Sequence, residues 1–203
     1  HYQYPDAIAI LKTVIKQYQS QGDVVGSAMA TRNLALIYQK LGAWEQAAAT
    51  ITQGQKIIAT IASELEKSQL LAQVLEVRGQ IELSLGRSQA ALETWQQATS
   101  LYEAQGNIIG ATQGQIYQAN ALQALGLSSQ SIKILTATNS QLQNEPDSLL
   151  KAQALLNLGN VFNRIGKYQP AQTSLKSALV IAQALDSKPT MADILLSLGN
   201  NAK

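Results

Sequence analysis

The sequence predicts an all-α solenoid of antiparallel helix pairs, and three observations point there. Glycines recur in register, with Gly42, Gly86, Gly126 and Gly166 separated by 44, 40 and 40 residues. Each follows a leucine or isoleucine (Leu41, Leu85, Leu125, Ile165), and a small residue stands seven positions upstream (Ala35, Gly79, Ala119, Gly159). The composition is rich in Ala and Gln, both good helix formers, and holds only 4 prolines and one phenylalanine in 203 residues. β-Branched residues are scattered rather than gathered into alternating runs, so no strand pattern competes.

The elements follow in order. A lone second-type helix over 4–20 opens the chain, with Ala7 lying 40 residues ahead of Ala47. Four helix pairs then cover 24–60, 67–105, 108–143 and 148–185, and a lone first-type helix over 190–201 closes it. Within each pair the register glycine ends the first helix, because it alone enters the left-handed region without a Cβ penalty. Between pairs the turns fall at Gln21-Gly22-Asp23, Gln105-Gly106-Asn107, Glu145-Pro146-Asp147 and Leu185-Asp186-Ser187, whose third residues are placed to cap the next helix. The corresponding turn near Glu64 to Ser68 is obscure. The four extra residues of the 44-residue interval belong there, as an additional helical turn or a longer loop.

Packing explains the small residues. Ala35, Gly79, Ala119 and Gly159 are expected to meet Ala47, Ala91, Ser131 and Ala171 where the helices of a pair cross, with Ile37, Ile81, Ala121 and Val161 in the apolar stripe. One pair buries only one side, so stacking is needed to close a continuous core. The whole is read as a single domain over 1–203. It starts inside one repeat and stops inside another, around Gly199 and Asn200, as a section of a longer array would.

Composition also excludes functions. Charged residues are 14% of the chain and the net charge is +2, spread singly, which gives no basic stripe for nucleic acid. Between Gly106 and Asn144 the only charged side chain is Lys133, a neutral stretch that suits either a contact surface or a poorly charged solvated face. No apolar run reaches the roughly 18 residues a membrane span needs. There is no cysteine, and the single histidine is His1 at the chain end. No hydrolytic constellation or metal loop can therefore be assembled, and no enzyme activity or cofactor is expected. The chain begins with a histidine rather than a methionine, so a targeting segment upstream is not excluded; a cytoplasmic location is favoured.

These residues resemble a tetratricopeptide repeat. The fourth pair carries the family's whole pattern in Leu158, Gly159, Phe162, Gly166, Tyr168, Ala171, Leu175 and Ala178. The first gives Leu34, Ala35, Tyr38, Gly42, Trp44, Ala47 and Ile51, with Gly54 in place of the last alanine. The second keeps Gly79, Gly86, Ala91, Trp95 and Ala98 but has Glu82 and Ser88 at the aromatic positions, and the third retains Ala119, Leu122, Gly126 and Leu135. The spacing is longer than the common form of about 34 residues and is similar to the long repeats of about 40 residues in kinesin light chains and bacterial regulatory arrays. A HEAT-type repeat shares that period but does not predict the aligned Gly-turn-Ala signature.

The resemblance implies a right-handed superhelix with the first helices lining its concave side, and a non-catalytic scaffold that binds a protein or an extended peptide there. The groove is expected to be lined by Arg32, Leu36, Lys40, Glu76, Gln80, Ile116, Asn120, Gln123, Leu156, Asn160, Asn163, Arg164 and Asn200. Asn120, Asn160 and Asn200 recur at one position, and carboxamides there can hold a peptide backbone through donor and acceptor together. Ile116 and Leu156 stand where a carboxylate clamp of some family members would want lysine, so apolar side chains between backbone contacts suit this groove better. Two alternatives stand beside this reading: a regulatory or sensing array for an effector domain outside the fragment, and a structural segment that self-associates through its truncated ends.

Overall fold

The computed structural model describes residues 3–199. Ten α-helices account for most of them: α1 (Gln3–Ser20), α2 (Val24–Lys40), α3 (Trp44–Ile58), α4 (Glu64–Ser84), α5 (Ser88–Ala104), α6 (Ile108–Ala124), α7 (Ser128–Leu142), α8 (Leu149–Arg164), α9 (Tyr168–Ala184) and α10 (Lys188–Gly199). Consecutive helices pack as antiparallel pairs, and no strand occurs among the described residues. This is a helical solenoid. Two compact units divide it inside α6, the first ending at Ala111 and the second beginning at Thr112.

One turn motif makes most of the corners. At Gly42 the glycine N–H donates to Gln39 O at 3.0 Å and Ala43 N–H to Tyr38 O at 2.9 Å, the paired bonds of a Schellman cap. The same pairing recurs at Gly22, Gly86, Gly106, Gly126 and Gly166, all at positive φ between 66° and 77°. Asp186 makes the seventh such turn with φ 47°, a conformation that aspartate tolerates better than most residues with a Cβ.

Caps start the following helices. The Asp23 carboxylate accepts from Gly26 N–H at 2.7 Å, and Asn107 Oδ1 accepts from Gly110 N–H at 2.9 Å. After Pro146 the expected cap moves by one residue. Ser148 Oγ accepts from Lys151 N–H at 3.2 Å, while Asp147 forms an ion pair with Lys151 Nζ at 3.2 Å. The obscure turn also resolves: α4 begins at Glu64 rather than 67, capped by Ser63. At 21 residues it is four longer than the 17 of α2, so the extra residues form one more helical turn.

The first unit centres on Ala28, Ala35, Ala47, Ile51, Ile58, Val74, Val77 and Ile81. In the second, one cluster joins Ile116, Ala119, Leu135, Leu142, Ala154, Leu158 and Val161, and another joins Leu156, Leu175, Ala178, Ala182 and Ile194. The close crossings fall where the small residues are. A Cβ on Gly159 would lie 2.6 Å from Leu175 Cγ, and one on Gly79 would enter the indole of Trp95. Ser131 uses its close approach to donate its hydroxyl to Ala119 O at 3.0 Å, which accounts for a serine where the other pairs have alanine.

Candidate functional site

In each unit, neighbouring first helices lie side by side, and the residues between them form the candidate binding face. In the first unit, α2 and α4 are tied by polar side chains. Arg32 Nη1 donates to Gln73 Oε1, and Gln39 Nε2 donates to Gln80 Oε1 at 3.0 Å. Arg32 also reaches Asn33 Oδ1 at 3.1 Å. Glu76 is half-buried beside them and accepts a hydrogen bond from the Tyr102 hydroxyl at 3.0 Å. Burial pushes its carboxyl above the ordinary value of 4.5, against the opposing pull of Tyr102 and Arg32. Leu36 is half-buried against the core, and Lys40 is exposed at the end of α2.

The second unit repeats the backbone with other chemistry. Arg32, Glu76, Ile116 and Leu156 occupy one repeat position, but Ile116 is 0% and Leu156 4% exposed, so these two belong to the cores and not to a groove. Helical phase and apolar side chains together account for this, since the polar Arg32 and Glu76 at the same position stay half-exposed. Stepping back four residues from Asn120 or Asn160 rotates the position by about 40°, which turns it under the neighbouring helices. Asn120 and Asn160 are half-exposed, and neither makes a hydrogen bond among the described residues. Around them, Arg164 Nη1 donates to Gln123 O at 3.2 Å and Asn163 Nδ2 to Ser197 O at 3.1 Å. Gln123 is itself half-buried. Asn200 lies outside the described residues.

A tetratricopeptide repeat model matches residues 30–56. No curated protein matches the chain in sequence. Solved structures resemble it over most of its length. BtubC (BKLC) from P. vanneervenii superposes with a TM-score of 0.77 at 15% identity, over 98% of this chain and 86% of that one. A kinesin-light-chain-type protein of Podosopora anserina with nearly identical TPR-like repeats gives 0.71 at 20% identity, over 92% and 90%. The Rap conjugation gene regulator of plasmid pLS20, in complex with the Phr* peptide, gives 0.68 at 10% identity, over 90% of this chain and 54% of that one. The chain has a tetratricopeptide-like repeat fold. At these identities the likeness speaks for the fold alone.

Within this TPR-like array, the departures in the second pair have a structural reason. Glu82, where an aromatic is expected, is only 7% exposed and fully engaged. Arg78 Nε donates to its Oε1 at 2.7 Å and the Thr94 hydroxyl to its Oε2 at 2.7 Å, so an ionic cluster fills the place of a ring. Arg78 continues to Gln55 Oε1 at 3.3 Å, linking α4 to α3. Arg78 and Glu82 stand at i, i+4, a spacing that could have signalled the ion pair, whereas Thr94 comes from the next helix and carries no local signal. Tyr102 as the partner of Glu76 was not legible either, because it comes from a different helix 26 residues away. Among the described residues no group of three or more His, Cys, Asp or Glu could hold a metal ion, and no helix is long and apolar enough to cross a membrane.

Proposed function

We propose that this array is a non-catalytic scaffold that binds an extended polypeptide along the face of its first helices, chiefly in the second unit. The observation that carries this reading is the pair Asn120 and Asn160. These carboxamides recur at a 40-residue interval, are half-exposed, and make no hydrogen bond among the described residues. A carboxamide offers one carbonyl acceptor and two N–H donors, which match the alternating C=O and N–H of an extended main chain. Recognition through the backbone leaves the ligand's side chains free to set specificity. Gln123, Asn163 and Arg164 follow the pair by three or four residues, and the bonds of Arg164 to Gln123 O and of Asn163 to Ser197 O hold those two side chains in place before binding, which lowers the ordering cost. The pLS20 Rap regulator, a relative in fold, has been solved with a peptide bound, in agreement with this reading.

The test starts from a random peptide library displayed on phage and panned on the full chain. The tightest selected peptide is synthesised and titrated by calorimetry. Replacing both Asn120→Ala and Asn160→Ala should raise its Kd at least tenfold, about 1.4 kcal/mol, while far-UV circular dichroism stays unchanged. Equal affinity for the double variant, or failure to select any peptide that binds saturably, rejects the proposal.

A further inference from the structure

A second recognition feature lies in the first unit, apart from the first-helix face. A pocket of about 330 Å³ opens where the end of α1, the start of α2 and the last turns of α3 meet. That volume sits at the lower end of small-molecule sites, which run from about 300 to 1,000 Å³. Its wall carries two opposite charges that form no ion pair with each other. Asp23 spends one carboxylate oxygen on capping α2, at 2.7 Å from Gly26 N, and keeps the other. Lys56 forms no ion pair or hydrogen bond among the described residues.

The floor adds a third signal. Ser27 is 1% exposed, lines the pocket, and its hydroxyl has no hydrogen-bond partner among the described residues. A buried hydroxyl left unsatisfied carries an uncompensated desolvation cost, so it is an unusual feature for a helix interior. The nearby Thr31 hydroxyl, by contrast, returns to Ser27 O at 2.7 Å. Val24 and Ile57 supply an apolar wall between the charged ends, and Gln19 stands at the rim.

A ligand that satisfies all of these carries a cation for Asp23, an anion for Lys56, a polar atom within reach of Ser27 and a short aliphatic part for Val24 and Ile57. We infer that this pocket binds a free, zwitterionic amino acid with an aliphatic side chain. A peptide terminus presents only one of the two charges, and a metabolite with a single charge pairs with only one of Asp23 and Lys56.

The experiment is a titration of the ¹⁵N-labelled full chain with L-leucine, L-isoleucine and L-valine, followed by amide chemical shifts. N-acetyl-L-leucine, which lacks the ammonium, and isoamylamine, which lacks the carboxylate, are the single-charge controls. At least one of the three amino acids should produce saturable shifts confined to residues 22–27 and 53–60, with both controls at least tenfold weaker. Lys56→Met and Asp23→Asn should each weaken the response at least tenfold; asparagine retains the helix cap, so the second variant stays folded. Ser27→Ala should weaken binding yet leave thermal stability equal or higher, because it removes the unsatisfied hydroxyl. Asn120→Ala with Asn160→Ala should bind the amino acid as the parent does, which separates this site from the peptide face. Absence of saturable shifts with all three amino acids, controls that bind as well as the zwitterion, or a Lys56→Met variant that binds unchanged would each overturn the assignment.

Discussion

The two units place different chemistry on the first-helix faces of one backbone plan. In the first, the repeat position held by Arg32 and Glu76 is ionic, and the polar groups around it are bonded to one another through Gln73, Tyr102 and the Gln39–Gln80 pair. In the second, the same position is apolar and sealed by Ile116 and Leu156, while the next turn carries the half-exposed Asn120 and Asn160, which make no hydrogen bond among the described residues. Hydrogen-bonding capacity spent inside the protein is not available to a ligand. The first face is built to hold helices together, and the second is the one proposed to hold a ligand.

The difference reaches the core, where the largest effects are expected. The close crossing of the first unit seats a rigid indole over Gly79, with Trp95 Nε1 donating to Glu76 O at 3.1 Å. The second unit seats the side chain of Leu175 over Gly159, and a leucine can change rotamer. Gly79→Ala should therefore cost about 3 kcal/mol, from overpacking and the lost indole bond, and Gly159→Ala about 1–2 kcal/mol. Denaturant titrations of the two variants check the order, and equal costs would break the contrast.

Next in size is the ionic cluster that replaces an aromatic ring in the first unit. Thr94→Val removes a hydrogen bond of 2.7 Å from the buried Glu82 carboxylate and should cost about 1–2 kcal/mol. In the second unit, at a different repeat position, Thr138→Val removes a hydroxyl that donates to a neutral oxygen, Gln115 Oε1 or Ile134 O, each at 3.0 Å, and should cost about half as much. Thermal unfolding of both variants measures the ratio.

The smallest effect is a pH slope. Burial holds the Glu76 carboxyl above its ordinary 4.5 in the folded chain. Between that ordinary value and the raised one the native state binds more protons than the unfolded state, so stability falls as pH rises through this window. Glu76→Gln, which can still accept from Tyr102, should flatten the fall and leave the variant at least as stable as the parent at neutral pH. A steeper loss of stability with rising pH in the variant would contradict the sign.

Much of the fold was legible because its corners and crossings are chemically narrow. A Schellman turn wants glycine, and a close crossing wants glycine or alanine, so their joint register marks helices α2 to α9 from the sequence. The added turn of α4 was ambiguous because Ser63 replaces the glycine corner with a serine cap, which other residues can mimic. The candidate face was legible only in part. Asn120 and Asn160 share a side of their helices by period alone, but whether the residue one turn earlier faces outward depends on an angle of about 40° that only packing decides. That is how Ile116 and Leu156 were misplaced. The pocket of Asp23, Ser27 and Lys56 joins residues from three helices and has no local signature.

The contrast between the units is tested most directly by one paired titration. The peptide selected on the parent chain is titrated against Asn120→Ala/Asn160→Ala and against Arg32→Met/Gln80→Ala, each first shown to keep the parent's helicity. The carboxamide pair should raise Kd at least tenfold and the first-unit pair less than about threefold, the tenfold change corresponding to about 1.4 kcal/mol. A larger loss from the first-unit pair would place recognition on the face whose polar groups are already joined, and would contradict the account.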